Sequence, residues 1–135
     1  MKAVVDTNVV AYYLLGTEPF ASECRNFWKR AEEVFAPALW HAEIISVLWM
    51  AVRNKVISPD ESAVRLRLAG SLGIHTVPIR QLWRGALLRS LGSGLSTYDT
   101  LFVELAVRKG LRLATFDRQL IRTFSPIATR PADFI

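Results

Sequence analysis

Apolar and polar positions come in blocks along the chain, and the blocks change period. Lys2 to Val5 is a short apolar run ending in Asp6-Thr7-Asn8, which predicts a buried first strand with polar residues at its carboxyl end. Val9 to Leu15 predicts a helix stopped by Gly16. Thr17-Glu18-Pro19 starts a second helix that runs from Phe20 to Glu33, with Phe20, Cys24, Phe27, Trp28 and Ala31 on one stripe. Val34-Phe35-Ala36 predicts a second strand closed by Pro37, and Leu39 to Arg53 a strongly apolar helix.

The second half repeats the alternation. Ser58-Pro59-Asp60-Glu61 is the clearest helix start, with an N-cap serine, a proline at the first helical position and a glutamate placed to close a capping box. That helix is expected to reach about Leu72 and to end at Gly73. His75 to Pro78 predicts a third strand, Arg80 to Leu91 a helix, and Gly92-Ser93-Gly94 a loop. Ser96 or Thr97 caps a helix through Lys109, with Gly110 at the position that favours a left-handed cap. Leu111 to Phe116 predicts a fourth strand ending in Asp117, Arg118 to Thr123 reads as helical, and Ile127-Ala128-Thr129 predicts a fifth strand at an edge beside prolines.

Short apolar strands alternating with helices imply an α/β fold, a three-layer α/β/α sandwich around a small, mostly parallel central sheet. The 135 residues are expected to form one domain, 1–135. In such a sheet a ligand site lies beyond the carboxyl ends of the strands. Asp6 and Asp117 each end an apolar strand. Asp99 sits in the first turn of the helix that leads into the Asp117 strand. Glu43 interrupts an apolar stretch early in the helix after the second strand. Topology therefore delivers four carboxylates from distant segments to one edge. Each has an ordinary structural role as well: a first-turn acid for Asp99, an N-cap for Asp117, a strand-end turn for Asp6.

Four clustered carboxylates repel unless a cation neutralises them, and hard oxygen ligands suit Mg²⁺ or Mn²⁺. Such sites transfer phosphoryl groups. A glycosidase instead opposes two carboxyls without a metal. Glu104 falls five residues after Asp99, faces elsewhere on the helix and is spaced to pair with Arg108. His41 and His75 lack metal-ligand spacing and read as partly buried or surface residues. Trp40, Trp49 and the Phe20 stripe read as core or interface, and Arg80, Arg84 and Arg89 as a solvated face.

Composition sharpens this picture. Seventeen basic against twelve acidic residues give +5, with thirteen Arg and four Lys. With the four clustered acids set aside, eight acidic residues remain against the seventeen, so a basic shell surrounds an acidic centre, as a polyanion-binding protein would have it. One cysteine, Cys24, excludes an intrachain disulfide or a cysteine metal knuckle. An early carboxylate and the lack of ~18–20 uninterrupted apolar residues predict neither a secretory signal nor a membrane span, and a cytoplasmic protein.

Val4-Val5-Asp6-Thr7-Asn8, Glu43 in its apolar helix, Ser96-Thr97-Tyr98-Asp99-Thr100-Leu101-Phe102-Val103-Glu104-Leu105-Ala106, Leu113-Ala114-Thr115-Phe116-Asp117-Arg118 and the ending Arg130-Pro131-Ala132-Asp133-Phe134 together resemble the PIN domain family. Within it they resemble the VapC-type toxin ribonucleases. The resemblance covers essentially the whole chain. It implies a metal-dependent endoribonuclease using Mg²⁺ or Mn²⁺, with Asp6, Glu43, Asp99 and Asp117 as catalytic and metal-binding acids. Asn8 and Thr115 would be supporting polar residues. From the basic set, Arg118 is the candidate for holding substrate phosphates, with Arg53 and Arg80 as further candidates. The resemblance also implies an RNA substrate, a homodimer, and a cognate antitoxin as the toxin's partner. Two alternatives stay open: an RNA-processing nuclease of this fold outside a toxin–antitoxin pair, and a non-catalytic member binding RNA or protein. A haloacid-dehalogenase phosphatase also places an Asp after its first strand, but wants a second acid two residues on, where this chain has Asn8.

Overall fold

The computed structural model describes residues 1–134. Its elements are β1 (Lys2–Val5), α1 (Thr7–Leu15), α2 (Phe20–Arg30), β2 (Glu33–Pro37), α3 (Leu39–Arg53), α4 (Pro59–Ser71), β3 (His75–Val77), α5 (Trp83–Ser93), α6 (Thr97–Lys109), β4 (Leu113–Ala114), α7 (Arg118–Thr123) and β5 (Ala128–Thr129), with 3₁₀ turns at Ile79–Gln81 and Pro131–Asp133. The strands form one sheet in the order β3-β2-β1-β4-β5, and every pairing is parallel. Val4 pairs with Phe35 on one side and Leu113 on the other, and Ala114 with Thr129. The α/β architecture read from the alternation is the one observed. Among the described residues no helix is long and apolar enough to cross a membrane.

The order fixes where a ligand goes. The chain steps outward from β1 to β2 to β3, then returns past β1 to β4 and β5. Right-handed crossovers put α1–α4 on one face of the sheet and α5–α7 on the other. Connections leave β1 and β4 in opposite directions, so the crevice at their carboxyl ends is the topological switch point. Beneath it lies a core of fully buried side chains, including Val4, Val5, Leu14, Phe27, Phe102, Leu105, Leu113 and Leu120.

Local differences from the sequence reading have physical causes. α1 begins at Thr7, not Val9, because Asp6 is its N-cap and accepts from the Thr7 N–H at 2.8 Å. α2 ends at Arg30, and Glu33 already belongs to β2. Residues 79–81 form a 3₁₀ turn, so α5 starts at Trp83; it runs through Gly92 and Ser93 and stops at Gly94, whose φ of +79° is the left-handed cap. The Ser93 hydroxyl donates to the Arg89 carbonyl, which lets the expected loop stay helical. β4 is two residues long because Leu111 N–H still closes the end of α6. Trp40 is core, its indole N–H donating to Thr76, whereas Trp49 is 59% exposed under Arg53. His41 and His75 are exposed, as surface residues should be.

Glu104 pairs with Arg108 as its spacing demands, but it has a second partner. Arg89 Nε donates to Oε1 at 2.9 Å and Arg108 Nε to Oε2 at 2.6 Å, so Arg89 is not part of a merely solvated face. The carboxylate is 7% exposed and lies against Gly85, where any Cβ would overlap it. The glycine therefore leaves room for the Glu104 carboxylate between α5 and α6 in this orientation. Gly85→Ala should push Glu104 off its arginines and cost about 1–3 kcal/mol in urea unfolding; an unchanged midpoint would show that the carboxylate simply swings aside.

Candidate active site

Asp6, Glu43, Asp99 and Asp117 all line one cleft of about 530 Å³ at the switch point, with Thr7, Asn8, Tyr12, Ser46 and Val47 among its walls. Three helices begin there: Asp6 caps α1, Asp117 caps α7, and Asp99 lies in the first turn of α6. Their N-terminal partial charges face the acids and offset part of the mutual repulsion. Glu43 comes from the second turn of α3. No Lys or Arg is among the described residues that line the cleft.

The carboxylates differ in how they are held. Asp6 Oδ1 accepts from the Thr7 N–H at 2.8 Å. Its Oδ2 accepts from the Thr115 hydroxyl at 2.8 Å and from Asn8 Nδ2 at 3.4 Å. Asp117 Oδ1 accepts from the N–H groups of Gln119 and Leu120. Glu43 Oε1 accepts from the Thr7 hydroxyl at 2.7 Å. The Asp99 carboxylate has no hydrogen-bond partner among the described residues. Thr115, fully buried, is a hub: it donates to Asp6 and accepts from Asn8 Nδ2 and from the Asp117 N–H. Asn8 closes the ring by accepting from the Phe116 N–H with Oδ1. Asn8 and Thr115 thus stand where polar support for the acids is expected. Thr7 was missed, because its contact is with a residue 36 positions away that no local spacing reveals.

Electrostatics follow from this packing. Burial pushes the Asp6 carboxyl up to about 7 from its ordinary 3.8, with Glu43 and Asp99 adding to the rise and the bonds from Thr115 and Thr7 opposing it. Burial also raises Glu43, against the Thr7 hydrogen bond and with help from Asp99. Asp99 is raised by burial and then by Asp117. The four acids therefore sense one another, with Asp99 in contact with the fields of the other three. Arg118 lies exposed on the first turn of α7, outside the cleft wall. Arg53 and Arg80 stack over Trp49 and Trp83, also outside it.

Among the described residues, no three acid, histidine or cysteine groups close into a ready-made metal cage. The donor set nonetheless suits a hydrated hard cation. Mg²⁺ keeps several waters and needs only one or two carboxylates besides a phosphate. Glu43 Oε2, Asp117 Oδ2 and both oxygens of Asp99 are free to serve, and the cleft holds no basic side chain to compete.

Comparison with known proteins agrees with this architecture. Over 133 residues the chain is 28% identical to Ribonuclease VapC3 of Pyrobaculum aerophilum, covering 96% of this chain and 99% of the relative. A toxin-antitoxin complex from Klebsiella pneumoniae has a chain of the same fold, with a TM-score of 0.68 at 17% identity over 96% of this chain and 97% of that one. VapBC2 of Rickettsia felis, solved on a DNA fragment from its promoter, gives a TM-score of 0.66 at 14% identity over 96% of this chain and 98% of that one. The model of the PIN domain family matches residues 3–124, nearly the full length, and on that match the chain belongs to the PIN domain family.

Proposed function

We propose that the protein is a metal-dependent endoribonuclease, the toxin of a toxin–antitoxin pair. The observation that carries the reading is the convergence of Asp6, Glu43, Asp99 and Asp117 on one cleft with no Lys or Arg among the described residues that line it. Such a set can neither bind an RNA phosphate nor stay ionised together without a positive charge from outside. Mg²⁺ or Mn²⁺ held by these acids would lower the pKa of a bound water and stabilise the phosphodiester's attacked and leaving oxygens.

The chain's own groups have separable duties in this reading. Asp99, unanchored and central, and Glu43 and Asp117, each with one free oxygen, are the cation-facing ligands. Asp6 is anchored through both oxygens and sets the floor of the site. Thr115 and Asn8 keep Asp6 and the start of α7 in register. The basic excess outside the cleft draws the RNA strand in, with Arg118 at the rim as a candidate phosphate contact.

Support for the substrate is the relative named as a ribonuclease, and support for an antitoxin is the pair of structural neighbours from toxin–antitoxin systems. Protein partners, whether an antitoxin or a second copy in a homodimer, would also explain two exposed apolar faces: Ile45, Trp49 and Met50 on α3, and Trp83, Leu87, Leu88 and Leu91 on α5. The test is cleavage of single-stranded RNA by the purified protein. Cutting is expected with Mg²⁺ or Mn²⁺, to stop with EDTA and to resume when Mn²⁺ is restored. Cleavage that continues in EDTA, or none at any metal concentration, would contradict the reading.

A further inference from the structure

Thr7 touches two of the four carboxylates at once. Its backbone N–H donates to Asp6 Oδ1 at 2.8 Å, and its hydroxyl donates to Glu43 Oε1 at 2.7 Å. The residue is 6% exposed, so water competes little for either bond. Asp6 has other anchors in Thr115 and Asn8. Glu43 has none besides Thr7 among the described residues.

That asymmetry matters for Glu43. A half-buried glutamate at a cleft wall has three side-chain torsions and samples several rotamers unless a partner selects one. A threonine hydroxyl has one proton to give. Given to Oε1, it leaves Oε2 free towards the cleft. The Thr7 N–H, an orphan donor of the first helical turn, is meanwhile taken by Asp6. The first residue of α1 therefore ties the carboxylate that ends β1 to the one presented by α3.

We propose that Thr7 is a positioning residue that holds Glu43 in one orientation beside Asp6, so that the free carboxylate oxygen of Glu43 serves a divalent cation. The inference rests on the metal-dependent reading above. A purely structural Thr7 would lose only one hydrogen bond's worth of fold stability on substitution and leave cation binding untouched.

Thr7→Val keeps the shape and removes the hydroxyl, and Thr7→Ser keeps the hydroxyl. Mn²⁺ binding to the full chain is measured by titration calorimetry at pH 8. Melting of the metal-free proteins and single-turnover cleavage of single-stranded RNA are followed alongside. Thr7→Val should bind Mn²⁺ about 10–100-fold more weakly, the range typical of groups that orient metal ligands, while Thr7→Ser stays within about threefold of wild type. On a Glu43→Gln background, Thr7→Val should cost almost nothing more, because the carboxylate it positions is gone. Thr7→Ala takes the place of Thr7→Val if the melt shows that valine is not accommodated. Wild-type binding by the hydroxyl-free variant, serine as damaging as valine, or full additivity with Glu43→Gln overturns the inference alone. Wild-type protein that binds no Mn²⁺ and cuts no RNA overturns the metal reading, and this inference with it.

Discussion

Asp99→Asn is expected to lower RNA cleavage at least about a hundredfold while making the metal-free protein more stable. Groups that merely orient metal ligands typically cost 10–100-fold when lost, so a carboxylate facing the cation should cost at least the upper end of about that range. The gain in stability comes from the same geometry. Asp99 is half-buried, has no hydrogen-bond donor among the described residues and sits in the field of Asp117, which together hold its carboxyl above the ordinary range. Asparagine removes a charge that burial and Asp117 disfavour and that the N-terminus of α6 offsets only in part. A gain of about 1 kcal/mol at pH 8 in EDTA is the expected size, read by urea unfolding. A variant that is both inactive and less stable would mean that Asp99 supports the fold of α6 instead.

The second large effect is a pH dependence with an unusual sign. Most paired carboxylates in a folded protein are depressed and stabilise it above their pKa. Asp6 is raised, from 3.8 to about 7, chiefly by burial. The folded state therefore binds its proton more tightly than the unfolded chain does. The contribution is most favourable below about pH 4, falls as pH rises through the window, and levels off above about 7. Between pH 5 and 8 the metal-free protein should lose about 3 kcal/mol through this one group, relative to Asp6→Asn. Glu23 and Glu104, lowered by their arginines, slope the other way in both proteins and cancel in the difference, which reads Asp6 together with its coupling to Glu43 and Asp99. The observable is the gap in unfolding free energy measured in EDTA at several pH values, and it should widen in favour of the variant as pH rises. Added Mn²⁺ should narrow it, because a nearby cation favours the ionised Asp6 that only wild type has. A gap that does not change with pH would place the Asp6 proton in the ordinary carboxylate range.

These two effects share an origin with what could be seen in the sequence. Asp6 and Asp117 end apolar strands, and parallel strands deliver their ends to one edge, so their convergence follows from topology without any side-chain detail. Asp99 and Glu43 follow by the same reasoning, since a helix between two parallel strands must start or finish at a known edge. Strand order was not legible, and it is strand order that makes β1 and β4 neighbours and turns a shared edge into a shared cleft. Contacts set by packing were not legible either. Thr7 meets Glu43 across 36 residues, and Arg89 reaches Glu104 where Gly85 leaves room for the carboxylate between two helices. Element boundaries shifted wherever a side chain satisfied the backbone in a way that composition does not show. Asp6 capping α1 and Ser93 bonding back into α5 are the clearest instances.

The fold's exposed apolar side chains belong to a different question from the cleft. Trp83, Leu87 and Leu91 on α5 are exposed and do not line the acidic cleft. A loss of activity at the acids should therefore occur with assembly unchanged.

The most direct measurement is single-turnover cleavage of one single-stranded RNA across a Mn²⁺ series, by wild type and Asp99→Asn side by side. Wild type should rise from no cleavage in EDTA to a plateau, while Asp99→Asn stays at least about a hundredfold lower at every concentration. Equal plateaus for the two proteins, or a wild-type rate independent of Mn²⁺, would contradict a cation-dependent site built from these four carboxylates.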